Sequence, residues 1–136
     1  MNAPPGPVPL LQVDGVTLQY KTEKHLVTAT YRVSFDVYQA DRFVLLGPSG
    51  CGKSTLLKSI GGYMAPTEGG MRLKGKTIRG PGSDRVLVFQ EFDQLLPWKT
   101  VSQNIGLGLE LRGEASAEKT AEWVRKVGLE GFADRY

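Results

Sequence analysis

Residues 10–38 alternate between apolar and polar positions, a pattern typical of β-strands with one buried face. The apolar positions form two runs on either side of a polar stretch: Val13, Val16, Leu18 and Tyr20, then Tyr31, Val33, Phe35 and Val37. Because residues two apart point to one side of a sheet, the second run predicts a core-facing row, with Arg32, Ser34 and Asp36 outward. The polar residues 21–25 join the two strands, most simply as an antiparallel hairpin.

Two later runs are apolar at every position and predict a different kind of strand. They are Phe43-Val44-Leu45-Leu46 and Val86-Leu87-Val88-Phe89. A strand without polar positions is expected to be buried on both faces, as in a parallel sheet covered by helices. A short strand over 71–73 is predicted between them, closed by a turn at 74–76.

Helices are predicted at three places from their start and stop signals. They run from about 53 to 60 before Gly61-Gly62, from Thr100 with Gln103 as a reciprocal N-terminal cap, and from Ser116 to about 127 before Gly128. Strands and helices thus alternate after the antiparallel hairpin. The predicted fold class is α/β, a parallel sheet with helices that follows an N-terminal antiparallel β arm.

Composition adds a boundary to this picture. The chain has 136 residues, which suits a single small domain, and residues 1–9 hold four of its eight prolines. That stretch is expected to be a disordered Pro-rich arm, so that the folded part covers 10–136. The 17 glycines fall mostly in turns between the predicted elements.

Charge and cysteine content narrow the function classes. With 17 basic and 14 acidic residues the net charge is +3, and the basic residues are scattered, which gives no basis for a nucleic-acid partner. A single cysteine forms no internal disulfide, which is compatible with a reducing compartment. No apolar run approaches ~18 residues, so no membrane span is predicted, and no secretory signal is visible.

The turn between the first apolar run and the next helix carries a phosphate-binding pattern. Residues 47–54 read Gly-Pro-Ser-Gly-Cys-Gly-Lys-Ser, which fits G-x-x-x-x-G-K-[ST]. The glycines let backbone N–H groups point at phosphate oxygens, and the helix directs its positive end at the same anion. Lys53 is expected to reach the β- and γ-phosphates, and the Ser54 hydroxyl to ligate Mg²⁺. The alternative is a plain glycine turn, with Cys51 a small residue that fits a tight loop.

Two stretches of the chain resemble a known family. Residues 46–57 look like the phosphate loop of ABC-transporter ATP-binding subunits, and residues 86–98 resemble their Q-loop. Features similar to the nitrate, sulfonate and taurine importer branch are Leu95-Leu96-Pro97-Trp98, Thr100-Val101 and Asn104. The resemblance covers residues 13–136 and implies a P-loop NTPase core with ATP and Mg²⁺ as cofactors.

The resemblance also implies which residues bind the nucleotide. They are Gly47, Pro48, Ser49, Gly50, Cys51, Gly52, Lys53, Ser54 and Thr55, together with Tyr20 and Gln90. Tyr20 falls where the family places an aromatic ring that stacks on adenine; the alternative is a strand-end tyrosine that packs locally. Gln90 matches the Q-loop glutamine, which contacts Mg²⁺ as Ser54 does; the alternative is a glutamine that caps a buried strand.

Partners are implied in the same way. Relatives work with a transmembrane permease subunit, a second nucleotide-binding domain and, indirectly, a solute-binding protein. Leu95, Leu96 and Trp98 resemble a region near which the family docks membrane-subunit helices, and the alternative is that they pack under their own loop. The implied location is cytoplasmic, peripheral on the inner face of the cell membrane.

Several family motifs do not occur in this sequence. It has no Leu-Ser-Gly-Gly signature, no apolar strand that ends in Asp-Glu and no histidine after the phosphate loop. Gln90-Glu91 imitates the Asp-Glu pair, with Gln where the metal carboxylate belongs. The chain therefore resembles the N-terminal part of an incomplete ABC nucleotide-binding domain. No catalytic residue is assigned, and the chain alone is expected to be inactive as an ATPase.

Three functions follow from these patterns. The first is the ATP-binding subunit of an importer for nitrate-, sulfonate- or taurine-like solutes, truncated before its signature and Walker B motifs. The second is a non-catalytic nucleotide-binding half-domain that pairs with another polypeptide. The third, a different phosphate-loop enzyme such as a small-molecule kinase, would not explain the Q-loop stretch.

Overall fold

The computed structural model describes residues 8–21, 25–90 and 94–136. The chain divides into two compact units, residues 1–88 and residues 89–136, which we describe one at a time. Most of the predicted Pro-rich arm, the middle of the hairpin turn and Glu91 lie outside the described residues.

The first unit is built on one antiparallel sheet. Its strands are β1 (Leu11–Lys21), β2 (Leu26–Val37), β3 (Glu68–Leu73) and β4 (Lys76–Thr77), in the order β2-β1-β3-β4. β1 pairs antiparallel with both β2 and β3, and β3 pairs antiparallel with β4. The predicted hairpin and the short strand near residue 71 are therefore confirmed.

One helix, α1 (Lys53–Ile60), belongs to this unit, where the sequence predicts it. The buried core is a cluster of β1, α1 and β3 side chains: Val13, Val16, Leu18, Leu56 and Met71. Since Leu56 is the helix's buried apolar member, α1 joins the core through that side chain. Ile60, at the end of the helix, and Met64, beyond it, also pack against the cluster.

The predicted core-facing row of β2 is correct except at Tyr31. Val33 is half-buried in the apolar row, but Tyr31 is 67% exposed. Val16 lies opposite Val33 and Leu18 lies opposite Thr30, so β2 holds one extra residue there. This β-bulge, with φ of 48° at Arg32, turns the preceding side chain out of the row.

The two apolar runs do not form the buried parallel strands that the sequence predicts. The described sheet contains neither segment 43–46 nor segment 86–89. Each is only partly covered: Leu45 packs on the core, Leu87 and Phe89 are half-buried, and Phe43 stacks on Phe35 with ring centroids 4.7 Å apart but stays 48% exposed. The side chains between them are more exposed still: Val44 70%, Leu46 88%, Val86 89% and Val88 80%. The prediction fails because neither segment pairs into the described sheet and, among the described residues, nothing covers its second face.

The second unit contains two helices, α2 (Val101–Leu111) and α3 (Ala117–Lys126), and a 3₁₀ turn at Glu130–Phe132. The predicted capping box is present: the Thr100 hydroxyl accepts from Gln103 N at 3.3 Å, and Gln103 Oε1 accepts from Thr100 N at 2.9 Å. The Ser116 hydroxyl caps α3 by accepting from Lys119 N. Both predicted helix starts are confirmed.

Helix α3 also carries an ion pair four residues apart. Lys126 Nζ lies 2.7 Å from Glu122 Oε1, and this hydrogen bond and the lysine charge lower the pKa of Glu122. Gly128 follows the helix with φ of 72°, a conformation that favours glycine and ends the helix. None of the described helices is long and apolar enough to cross a membrane.

The core assignment can be tested at Leu18, which is fully buried in the cluster. Leu18→Ala is expected to lower the free energy of unfolding by about 2–5 kcal/mol, because it leaves a cavity that the sheet cannot close. Urea unfolding measures the change. Leu26→Ala, at a 65% exposed position in β2, is the matched control and is expected to cost less than about 0.5 kcal/mol. Equal losses would contradict the assignment.

Candidate functional site

The phosphate-binding pattern forms a loop that runs directly into α1. Gly50 and Gly52 have φ of 81° and 93°, a left-handed conformation that non-glycine residues rarely adopt. Cys51 N donates to Pro48 O at 3.4 Å, which closes a tight turn in the middle of the loop. The glycines therefore lie where the backbone of the predicted loop needs a left-handed conformation.

Gly52 also brings the loop against the sheet. A Cβ at this position would lie 2.1 Å from Ala29 O and 3.0 Å from the Thr30 methyl carbon, both in β2. Only a residue without a side chain permits this approach. The start of α1 is thus held on β2 by direct backbone packing.

The first turn of α1 presents unpaired backbone donors. Leu56 N donates to Gly52 O at 2.9 Å, which is the first bond of the helix. The N–H groups of residues 53–55 precede it and have no acceptor within the helix, as at any helix N-terminus. Together with the positive end of the helix dipole, they favour an anion at this position.

Lys53 adds a full positive charge to the same loop. Its Nζ donates to Gly47 O and to Pro48 O, each at 2.7 Å, and lies 3.5 Å from Cys51 Sγ. The ammonium is therefore folded over the loop rather than extended away from it. An ammonium has three donors, which it can give to phosphate oxygens in place of these carbonyls.

The structure brings together the nine predicted loop residues, 47–55, around one helix N-terminus. Ser54 is exposed in the first turn, where its hydroxyl is open to a metal ion, and Thr55 is half-buried beside it. Cys51 is exposed in the loop. The loop therefore combines inward-pointing backbone N–H groups, the positive end of a helix dipole and the Lys53 ammonium, a set of groups that can bind a polyphosphate.

The two predicted residues outside the loop stand as follows. Tyr20 lies in β1 opposite Val27 and is 42% exposed, so part of its ring is open to a partner. Gln90 is exposed and belongs to the second unit. Their roles at adenine and at the metal remain predictions.

Asn104 is a residue whose structural role the sequence analysis missed. Its Oδ1 accepts from Leu96 N at 2.9 Å, and its Nδ2 donates to Leu96 O at 3.1 Å, Lys99 O at 3.0 Å and Thr100 O at 3.1 Å. One side chain thus ties the Leu-Leu-Pro-Trp segment to the start of α2. An amide residue four positions after the helix cap, next to a turn with proline, is the signal that could have revealed it.

The close approach at Gly52 gives a paired test of the loop. Gly50→Ala meets no atom within 4 Å, so it is expected to cost only the ~1–2 kcal/mol of a left-handed residue. Gly52→Ala has the same strain and also drives a methyl group into Ala29 O, which adds ~1–3 kcal/mol. Urea unfolding of both variants measures the difference. Equal destabilisation would show that the loop does not rest on β2.

Comparison with known proteins identifies the family. The ABC transporter family model matches residues 30–136. An ABC transporter ATP-binding protein of Methanocaldococcus jannaschii is 42% identical over 129 residues, which cover 93% of this chain and 48% of that protein. The taurine import ATP-binding protein TauB of Rhizobium johnstonii is 42% identical over 93% of this chain and 50% of its own length. The nitrate transport protein NasD of Klebsiella oxytoca is 42% identical over 85% and 45%.

Solved structures agree with these matches. An ATP-binding cassette dimer bound to ADP and Pi superposes with a TM-score of 0.75 and 28% identity, over 91% of this chain and 60% of that one. A second dimeric ABC transporter cassette superposes with a TM-score of 0.76 over the same shares. The chain spans about half the length of the curated relatives it matches. With its phosphate loop, its fold and most of its length matched, this chain belongs to the ABC transporter family.

Proposed function

We propose that this chain is the first half of the ATP-binding subunit of an importer for nitrate-, sulfonate- or taurine-like solutes. The observation that carries the proposal is the convergence of the Lys53 ammonium and the N-terminus of α1 on one glycine loop. The importer branch is supported by relatives named for nitrate transport and taurine import, each 42% identical to this chain.

The residues at the loop fit a bound nucleoside triphosphate with Mg²⁺. The backbone of residues 47–52 and the first amides of α1 would hold the phosphates, and Lys53 would exchange its carbonyl partners for phosphate oxygens. Ser54, exposed beside them, would ligate the metal. When bound, ATP supplies the phosphoryl group whose transfer to water drives transport in such assemblies.

Tyr20 and Gln90 complete the proposed site. Tyr20 would stack on adenine, an interaction worth ~1–3 kcal/mol that requires only an exposed ring face, and this residue is partly exposed. Gln90 would contact Mg²⁺ through its amide oxygen and relay the state of the nucleotide to the permease. Its exposure is compatible with both contacts.

The proposed partners are a permease subunit, a second nucleotide-binding domain and, through the permease, a solute-binding protein. A related cassette has been solved as a dimer with ADP and Pi, which supports pairing of two such domains. The proposed location is the cytoplasmic face of the membrane, where such a subunit would be bound peripherally to its permease.

Incompleteness is part of the proposal. The curated relatives are about twice as long as the region they share with this chain. Segments 43–46 and 86–89 each expose apolar side chains, as expected if the strands and helices that would cover them come from the second half of the domain. The second candidate function is a non-catalytic half-domain that binds nucleotide and takes its missing strands from another polypeptide. The same exposed segments would serve it.

Nucleotide binding is tested at Lys53. Lys53→Ala is expected to weaken ATP·Mg²⁺ binding about 10- to 100-fold, because charge-assisted hydrogen bonds to phosphate are lost. Isothermal titration calorimetry measures the affinity. Lys58→Ala, in the last turn of the same helix, is the control and is expected to bind as the parent does. An unchanged affinity in Lys53→Ala would contradict the proposed site.

An ATP hydrolysis assay distinguishes this chain from a complete ATPase. The 136-residue chain is expected to release phosphate from ATP no faster than its Lys53→Ala variant, since it has neither the Asp-Glu strand nor the signature sequence. A coupled phosphate assay measures both rates. Lysine-dependent turnover by the chain alone would overturn the half-domain proposal.

The exposed segments make a further prediction. The isolated chain is expected to self-associate through Val86 and Val88, and the double variant Val86→Lys, Val88→Lys to do so less, because charge opposes apolar and edge pairing. Light scattering measures aggregate mass at equal concentration. Val8→Lys, also at an exposed valine (81%), is the control and should not change it. A double variant that aggregates like the parent would refute the prediction.

A further inference from the structure

Thr17 is a buried polar residue in the middle of β1, only 2% exposed. Its hydroxyl accepts from Arg32 N in β2 at 3.2 Å and donates to Glu68 Oε2 in β3 at 3.3 Å. A hydroxyl can accept and donate at once, whereas valine, a side chain of nearly the same shape, can do neither. One buried side chain therefore links three neighbouring strands of the sheet.

The bond to Arg32 lies at the bulge of β2. The pairs on either side of Thr17 leave it opposite two residues of β2, 31 and 32. A bulge disrupts the regular ladder of hydrogen bonds, and Arg32 has the left-handed φ of 48° that non-glycine residues rarely adopt. The Thr17 hydroxyl gives the N–H of Arg32 an acceptor inside the sheet. It therefore favours the bulge at this one position along β2.

The phosphate loop rests on the residues of β2 that come just before this bulge. A Cβ on Gly52 would meet the Ala29 carbonyl and the Thr30 methyl group, so the loop backbone lies directly against them. When a strand slips by one residue, every side chain moves to the opposite face of the sheet. The position of the bulge therefore decides which groups of β2 lie under the start of α1.

We propose that Thr17 is a positioning residue for the phosphate loop, because it fixes the bulge and so keeps Ala29 and Thr30 where Gly52 packs on them. This inference rests on the proposed function, since the loop is taken to bind a nucleotide. Thr17 is buried within the sheet and acts through β2. Its loss weakens phosphate binding by loosening the loop, not by removing a group that contacts phosphate.

The first test follows amide hydrogen exchange in the chain without nucleotide. In Thr17→Val, Arg32 loses its acceptor, and its amide is expected to exchange about tenfold faster. Leu56, whose N–H makes the first bond of α1 to Gly52 O, is expected to exchange about threefold faster. The reference is the amide of Gly61 at the other end of that helix. Unchanged exchange at Leu56 would overturn the proposal, because a role confined to the strands would affect Arg32 alone.

A matched pair of variants isolates the hydroxyl. Thr17→Ser keeps it and is expected to leave exchange at both amides within about twofold of the parent. Thr17→Ala differs from Thr17→Ser by the hydroxyl alone and is expected to behave as Thr17→Val does. The pair keeps the comparison available should Thr17→Val be too unstable to measure. Equal exchange in Thr17→Ser and Thr17→Ala would overturn the proposal.

The control variant is Thr28→Val in β2. It removes a hydroxyl that accepts from Gln19 Nε2 at 3.1 Å, a bond between the same two strands but away from the bulge. Exchange at Arg32 and Leu56 is expected to match that of the parent. Faster exchange at Leu56 in Thr28→Val, to the same extent as in Thr17→Val, would overturn the specific role of Thr17.

The second test measures ATP·Mg²⁺ binding to the same variants by isothermal titration calorimetry. Thr17→Val is expected to bind about 3- to 10-fold more weakly than the parent, because part of the binding free energy is then used to order the loop. Thr17→Ser and Thr28→Val are expected to stay within about twofold of the parent.

The two measurements separate this inference from the function beneath it. A parent chain that binds no ATP would refute the proposed nucleotide site, and exchange at Arg32 and Leu56 would still decide whether Thr17 fixes the loop. A parent that binds ATP together with a Thr17→Val variant that binds it equally well would leave the nucleotide site standing and overturn the positioning role.

Discussion

The position of α1 on the sheet is the constraint on which the rest of the first unit depends. Leu56 places the helix in the core formed by β1 and β3, and Gly52 lets the helix start press against the backbone of β2. The two contacts fix both the depth and the direction of the helix. Because its N-terminus is set in this way, the Lys53 charge and the backbone amides of residues 47–55 converge on one point.

Local signals predicted the parts of the fold that depend on neighbours in sequence. The Thr100–Gln103 capping box, the Ser116 cap and the glycine loop before α1 act over three or four residues, and the structure has each of them. The β1–β2 hairpin belongs to the same class, since its strands are joined by a short polar stretch. The loop residues of the candidate site could be predicted for the same reason, because their pattern is local in sequence.

Features that depend on residues distant in sequence could not be predicted from local patterns. An apolar run such as 43–46 predicts a buried strand, but such a strand needs neighbouring strands at its edges and helices over its faces, and the described sheet does not include this segment. The bulge at Arg32 follows from the register against β1, which alternation alone does not encode. Asn104 was noted only as a feature of the family resemblance, and its structural role could not be predicted because its hydrogen bonds reach back across a turn to Leu96.

The bulge in β2 affects how readily the edge of the sheet pairs with other copies of the chain. β2 lies at one end of the sheet order and offers an outer row of backbone donors and acceptors. Long flat edges of this kind recruit strands from other chains. The extra residue near Arg32 and a second register shift at 28–30 interrupt that row and twist it, so that β2 offers only short regular stretches in place of one long template. The irregularity that turned Tyr31 into solvent thus also acts as a guard against edge-to-edge polymerisation.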